Sequence, residues 1–379
     1  MSDIYSQSLK LHRKLKGKIT TNSKFSLKSK KDLALAYTPG VAEPCRVIAK
    51  NPEEAKSLTL KGNTVAVISD GSAVLGLGNI GPLAALPVME GKCILFKEFA
   101  GLNAFPICLN TQDELEIINV IKNIAPAFGA INLEDISAPR CFKIEERLKK
   151  ELDIPIMHDD QHGTATVVLA ALINAIKARQ CRKELLKIVI SGAGSAGSAI
   201  CDILKKSGFK NIIVCDREGS IYKKRANLSP SKIFLASISN PGQMVGNLET
   251  VIEGADVFIG VSAPGLLTKE MIKTMTSKPI IFALANPLPE IMPGDAKAAG
   301  AFIVATGRSD FPNQVNNVLA FPGIFRGAID NKVKQINDNM LIKAEKNLVK
   351  LVISPNVDNI LPDPLSPEVV KSVAKAIKD

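Results

Sequence analysis

Lys187 to Ser191 is a short apolar run that leads directly into Gly192-Ala193-Gly194-Ser195-Ala196-Gly197. A helical stretch to Ser207 follows, then a second apolar run, Asn211 to Cys215, closed by Asp216. Strand, G-x-G-x-x-G, helix, strand and a following acid make up a dinucleotide-binding βαβ unit. The glycines permit a tight turn and let a pyrophosphate approach the backbone at a helix N-terminus. The unit commits the second half of the chain to a doubly wound, Rossmann-type α/β sheet. Asp256 to Gly260, Ile280 to Ala283 and Ala301 to Thr306 read as its further strands. Gly192, Ala193, Gly194, Ser195, Ala196 and Gly197 are the expected cofactor contacts, with Asp216 at the ribose. Asp216 favours NAD. Arg217, Lys223, Lys224 and Arg225 suit the 2′-phosphate of NADP, and the sequence leaves the choice open.

The half before this unit carries the acids. Ala130 to Leu133 reads as a strand delivering Glu134-Asp135, and Ile154 to Met157 as one delivering His158-Asp159-Asp160-Gln161-His162-Gly163. Two βα units each place an acidic pair at the carboxyl end of a strand, the ligand-binding edge of an open α/β sheet. Such acids either cap helices and pair with cations, or converge on a hard divalent ion such as Mg²⁺ or Mn²⁺. Zinc fits less well, because no thiolate or helical pair of histidines accompanies them. Thr164 to Ala178 is apolar on most faces and reads as a buried helix whose first turn offers N–H groups to anions. The change of character divides the chain into a catalytic and metal-binding domain, 1–162, and a dinucleotide-binding domain, 163–379, with C-terminal helices from about 330.

Three further features lie upstream. Tyr37-Thr38-Pro39-Gly40 places a tyrosine at a rigid bend. Thr64 to Ser69 reads as a buried strand entering the glycine-rich run Asp70 to Gly81, which lacks the G-K-[ST] ending of a triphosphate loop. Cys93 to Phe96 reads as a strand, so Lys92 is expected at its start. There, partial desolvation would lower the lysine pKa toward that of a neutral-pH base. Thr111 to Glu114 reads as a capping box.

The net charge of +11 is concentrated in the first 31 residues. It suits an anionic substrate or a polyphosphate cofactor. With few aromatic residues and no groove-reading motif, no nucleic-acid partner is expected. The seven cysteines have irregular spacing and no C-x-x-C, as in a cytoplasmic protein with reduced thiols. No stretch reads as a signal peptide or a membrane span, so no membrane partner is expected.

Tyr37-Thr38-Pro39-Gly40, Glu90-Gly91-Lys92, Glu134-Asp135, His158 to Thr164 and Gly192 to Gly197, in this order, resemble the malic enzymes, most of all their short bacterial form. The resemblance runs over nearly the whole chain. It implies that malate is oxidised by NAD(P)⁺ and β-decarboxylated with a divalent metal, Mg²⁺ or Mn²⁺, to give pyruvate. By position it implies Lys92 as the base at the C2 hydroxyl, Tyr37 as the acid at C3, and Asp159 as the partner that tunes Lys92. It implies Glu134, Asp135 and Asp160 as metal ligands. Asn286 and Asn317 would hold malate, with Asn286 also close to the nicotinamide, and the assembly would be a homodimer or higher homo-oligomer. Two departures stand out. Ser72 and Ala73 occupy the region where larger members carry a substrate-gripping arginine, so the carboxylate anchor is unassigned. Asn103 and Asn110 stand where aspartates are expected. The competing reading is a metal-independent NAD(P)-dependent hydroxy- or amino-acid dehydrogenase, for which Asp160 would matter little.

Overall fold

The computed structural model describes residues 3–74 and 76–379, so Leu75 in the glycine-rich run lies outside the described residues. Two parallel sheets form the frame. The first joins β1 (Thr64–Ser69), β2 (Asn103–Cys108), β3 (Ala130–Leu133) and β4 (Ile156–His158) in the order β2-β1-β3-β4. The second joins β5 (Lys187–Ser191), β6 (Asn211–Asp216), β7 (Gly219–Ser220), β8 (Val257–Gly260), β9 (Ile280–Ala283) and β10 (Ile303–Thr306) in the order β10-β9-β8-β5-β6-β7, with only β7 antiparallel. In each sheet the chain leaves the first strand on one side and later returns on the other. Each therefore has a switch point, between β1 and β3 and between β5 and β8, where an open α/β sheet binds ligands.

The strands form from short β-branched runs buried on both faces. Val65 and Val67 enter one core and Ala66 and Ile68 another, as alternation along a strand requires. Ile188 and Ile190 part from Val189 in the same way. The cluster holding Val65, Val67, Ile188 and Ile190 is continuous between the two sheets. At its centre lies the helix Asp159–Arg179, in which Val167 to Leu172 are fully buried. This helix begins five residues before the expected Thr164. The two acids therefore occupy its first turn, where the helix dipole favours negative charge, and the N–H groups after Gly163 are interior.

The largest departure from expectation is around Lys92. Cys93 to Phe96 belongs to the helix Gly81–Ala100 rather than to a strand. Its buried residues Ala85, Met89, Lys92, Cys93, Phe96 and Ala100 recur at spacings of three and four, the helical period. The run Cys-Ile-Leu-Phe is too short to show that period alone, and Gly91 reads as a break although it lies within the helix. Phe96 packs edge-on against Phe321 and Phe325 at 4.8 and 5.3 Å, which ties this helix to Phe321–Asp330. The helix Glu114–Ile124 is capped by Asp113, which accepts from the N–H groups of Leu115 and Glu116. Thr111 instead donates to the Glu116 carboxylate at 2.5 Å.

Toward the C-terminus the helix Asp338–Lys350 buries Met340, Leu341, Ala344, Leu348 and, among them, Glu345. Burial pushes that carboxyl up to about 7, against the pull of Lys346, Lys177 and Lys183. No helix among the described residues is long and apolar enough to cross a membrane. By contrast, none of the described residues from 3 to 63 is buried. Leu33, Leu35 and Tyr37 are 50%, 61% and 67% exposed.

Candidate active site

The switch point of the first sheet gathers the acids. Glu134 and Asp135 leave the end of β3, and Asp159 and Asp160 follow β4. Carboxylate oxygens of Glu134, Asp135 and Asp160 lie within 4.8 Å of one another. Asp135 adopts a left-handed backbone, φ 54°, that is uncommon outside glycine. It is held there from both sides: its N–H donates to Asp160 Oδ2 at 2.9 Å, and its carbonyl accepts from Ala73 N–H in the glycine-rich loop at 2.9 Å.

Lys92 reaches this cluster from the neighbouring helix. Its Nζ donates to Asp159 Oδ2 at 2.5 Å and lies 3.1 Å from Glu134 Oε1 and 4.4 Å from the centre of the Phe321 ring. Four carboxylates, Glu134, Asp135, Asp159 and Asp160, thus share one cluster with a single ammonium, and full ionisation would leave three negative charges unbalanced. Burial pushes Glu134 and Asp159 up to about 7 and Asp160 to about 6; the Lys92 ammonium pulls against the rise and the neighbouring carboxylates add to it. For Lys92, burial disfavours the charge, but Asp159, Glu134 and Asp160 outweigh it and the pKa rises. The lowered lysine pKa expected from desolvation is therefore not what the carboxylates around Lys92 set up. The donor set fits a hard divalent cation: three carboxylates at one point, with excess negative charge in a buried setting. Asp160 keeps 28% side-chain exposure, the least enclosed of the three.

Sequence reasoning missed the groups that hold this cluster. Asn132, buried within β3, donates to Glu134 Oε2 at 2.8 Å. An amide two residues before the acid, on the same strand face, was a readable signal. Glu145 is buried on the helix Arg140–Glu151 and fastens the start of the central helix. It accepts from the N–H of His158 at 3.1 Å and pairs with His162 Nε2 at 3.0 Å and Lys149 at 2.8 Å. Burial opposes its charge, yet His162 and Lys149 hold its pKa below the usual range. His158 is fully buried and burial lowers its pKa to about 4, so it is neutral. Arg140 lies beside the glycine-rich loop, donating to Asp70 Oδ2 at 2.6 Å and Ser72 Oγ at 2.9 Å.

The two asparagines come from the second sheet. Asn286 follows β9, and a Cβ at Gly76 or Gly307 would strike it, so the glycine-rich loop packs directly on it. Asn317 lies beside Gly163, where an added Cβ would also collide with Asp159 Oδ1. Its neighbours have structural duties: Asn313 bonds to Val304, Val357 and Ile360, and Asn316 caps a turn at Val318. Tyr37 stays apart. It is exposed at the end of the helix Lys30–Ala36, and no hydrogen bond or ion pair among the described residues links it to Lys92 or the acids. Asn103 begins β2 and accepts from Lys97, away from the cluster.

At the other switch point Gly192 adopts φ 120°, against Val261 at the end of β8. A Cβ at Gly197 would collide with the Gly192 carbonyl, whereas one at Gly194 would meet nothing within 4 Å. That open face, with no side chain capping the helix Ser195–Lys206, is the cradle a pyrophosphate requires. Asp216 ends β6 and is paired with Arg225 and Lys232.

Comparison with known proteins agrees with this geometry. Residues 161–378 match the family profile "Malic enzyme, NAD binding domain", and 16–116 and 112–149 match "Malic enzyme, N-terminal domain". The chain is 54% identical to the bifunctional malic/malolactic enzyme of Bacillus subtilis, over 98% of this chain and 91% of that protein. It is 55% identical to the NAD-dependent malic enzyme of Geobacillus stearothermophilus, over 95% and 76%. The crystal structure of the NAD-dependent malic enzyme from Thermotoga maritima superimposes with a TM-score of 0.94 at 50% identity, covering 98% of both chains. Glycine turn, acid cluster and overall match together place this chain in the malic enzyme family.

Proposed function

We propose that this protein oxidatively decarboxylates malate to pyruvate and CO₂ with reduction of NAD(P)⁺, in a reaction dependent on Mg²⁺ or Mn²⁺. The observation that carries the reading is one lysine held between Asp159 and Glu134, beside a three-carboxylate cluster, in a chain that also carries a dinucleotide-type glycine turn. Lys92 Nζ takes the proton of the C2 hydroxyl. Asp159 orients it and receives the charge change. Tyr37 returns a proton to C3 after CO₂ leaves, and Asn286 and Asn317 hold the substrate between the two halves. When bound, the divalent cation supplies Lewis-acid polarisation of the C2 oxygen and neutralises Glu134 and Asp160, relieving the field that holds the Lys92 proton. Gly192–Gly197 and the uncapped N-terminus of the helix Ser195–Lys206 would hold the pyrophosphate of the dinucleotide.

The same reading makes the enzyme a homodimer or a higher homo-oligomer built from dimers. The unburied segment 3–63, with Leu33, Leu35 and Tyr37 exposed, supports an interface that carries Tyr37 to the partner's site. The seven free cysteines, six of them shifted upward by burial and four of these to about 12, suit a reducing cytoplasm. The test is pyruvate formation from malate with NAD⁺ or NADP⁺ and Mn²⁺. EDTA should abolish turnover and added Mn²⁺ should restore it. Activity that survives complete metal removal would refute the reading, as would Asp160→Ala with undiminished turnover.

A further inference from the structure

Glu290 is a buried carboxylate that the chemistry above does not use. It lies in the loop between β9 and the helix Pro293–Ala298, fully shielded from solvent, although Pro287 and Leu288 in the same loop are exposed. Its two oxygens are divided between two strand ends. Oε1 accepts from the N–H of Ser262, two residues past β8, at 3.0 Å. Oε2 accepts from the N–H of Ala285, two residues past β9, also at 3.0 Å. The pairing of β8 with β9 stops where the Leu284 N–H donates to the Gly260 carbonyl at 2.9 Å, and the carboxylate joins the two chains beyond that point. Burial raises the Glu290 pKa, and the bonds from Ala285 and Ser262 oppose the rise.

The surroundings are built for this side chain. A Cβ on Gly260 would collide with Glu290 Cδ, so the end of β8 leaves room for the carboxylate. The backbone there is pinned as well: the Leu267 N–H donates to the Glu290 carbonyl at 3.1 Å and the Gly265 N–H to the Pro289 carbonyl at 3.3 Å. Each oxygen leads to a different part of the site. Ser262 Oγ lies 3.0 Å from Ser191 Oγ at the end of β5, and Val261 packs on Gly192 and Gly197. That glycine turn also has ladder bonds of its own, from Gly192 N–H to the Cys215 carbonyl and from Val261 N–H to the Ser191 carbonyl, both at 2.9 Å. Ala285 immediately precedes Asn286, and its N–H goes to Glu290.

Resting on the malate reading above, we infer that Glu290 is a positioning residue for the Asn286 amide: its carboxylate, shared between the N–H groups of Ser262 and Ala285, fixes Asn286 relative to the glycine turn. The group that holds substrate and nicotinamide is thereby kept in register with the group that holds the pyrophosphate. Both donors are backbone N–H groups, so both partner atoms must be acceptors. A carboxylate offers two. A glutamine offers one and turns its NH₂ toward the other donor, which releases one strand end.

The test separates alignment from general support of the sheet. On the full chain, kcat/KM for malate is measured with Mn²⁺ and whichever of NAD⁺ and NADP⁺ the parent turns over faster. Affinity for ADP-ribose, which carries the pyrophosphate but no nicotinamide, is measured by calorimetry. Glu290→Gln should lower kcat/KM by roughly tenfold or more, the effect of a sub-ångström misplacement, with ADP-ribose affinity within threefold of the parent. In an Asn286→Ala background the same substitution should lower kcat/KM by less than about threefold, because the amide it aligns is gone. Glu290→Asp, which keeps the charge on an arm one methylene shorter, should show the same loss and the same non-additivity. A parent-like kcat/KM in Glu290→Gln, a loss that multiplies in full with that of Asn286→Ala, or a tenfold loss of ADP-ribose affinity overturns the inference and leaves the malate reading standing. So does failure of both Glu290 variants to fold by circular dichroism, since the carboxylate would then hold the sheet rather than the amide. If the parent turns over no malate with either dinucleotide, the malate reading fails and the inference falls with it.

Discussion

Glu345 offers a direct measure of what buried charge costs this fold. It sits on the inward face of the helix Asp338–Lys350, 4% exposed, with Met340, Leu341, Ala344 and Leu348 around it. Its carboxyl is shifted from an ordinary 4.5 to about 7, with burial as the main cause. An acid whose folded pKa is raised keeps its proton in the native state after the unfolded chain has lost it. Stability therefore falls as pH rises from about 4.5 to about 7, and stays low above that. At about 1.4 kcal/mol per pH unit the loss amounts to about 3 kcal/mol. Glu345→Gln has nothing to ionise and should escape it. With an unfolding entropy of about 2 cal/mol/K per residue, a chain of this length should gain about 4 °C in Tm at pH 8 and almost nothing at pH 5. Scanning calorimetry of both proteins at the two pH values, in matched salt, gives the answer by difference. A variant that melts with or below the parent at pH 8 would refute the argument, because the carboxylate would then be stabilised by Lys177 or Lys183 rather than stranded among apolar side chains.

Three other variants probe the site and its surroundings. Gly163→Ala should force Asp159 to rotate away from Lys92 and lower kcat by about 100-fold with the fold intact, since misplacement by about 1 Å has that effect; a kcat within threefold of the parent would show that Asp159 does not orient the lysine. Glu145→Ala should cost about 3 kcal/mol, the typical result of breaking a buried pair, and should also weaken Mn²⁺ binding measured by titration calorimetry, whereas full stability would mean that the start of the central helix needs no fastening. Leu33→Glu with Leu35→Glu should convert the protein to a monomer in sedimentation and remove activity with it. A fully active monomer would show that Tyr37 acts within its own chain or not at all.

Much of the frame could be read from sequence because its signals are local. Strands such as Thr64–Ser69, Lys187–Ser191 and Ile280–Ala283 are β-branched runs bounded by turns, and their limits needed no tertiary information. The glycine turn was legible for the same reason: its geometry is written in six consecutive residues. Lys92 was misplaced because four apolar residues after a glycine satisfy both a strand and one helical turn. What decides between them is the spacing to Met89 and Ala100, across a glycine and beyond the apolar run. Glu145 escaped because its partners at the start of the central helix lie 13 to 17 residues away and nothing in Glu-Glu-Arg marks one glutamate as buried. Asp216 was read from the fingerprint alone. Its pairing depends on Arg225 and Lys232, which reach it only once the turn after β6 is built.

The central helix has a mechanical consequence. Twenty-one residues at about 1.5 Å each make a rod about 31 Å long, with Asp159 and Asp160 in its first turn and Arg179, bonded to Asp256 at 2.9 Å, at its far end. A rod amplifies small tilts: about 2° of rotation about the Arg179 end sweeps the acids through about 1 Å, enough to misalign a reacting group. The alignment of the lysine with its carboxylates is therefore set partly by packing more than 20 Å away. The unbroken burial from Val167 to Leu172 acts as the bearing that holds the angle. A bulky side chain forced in at Ala175, fully buried near the anchored end, would steer the acids without touching them.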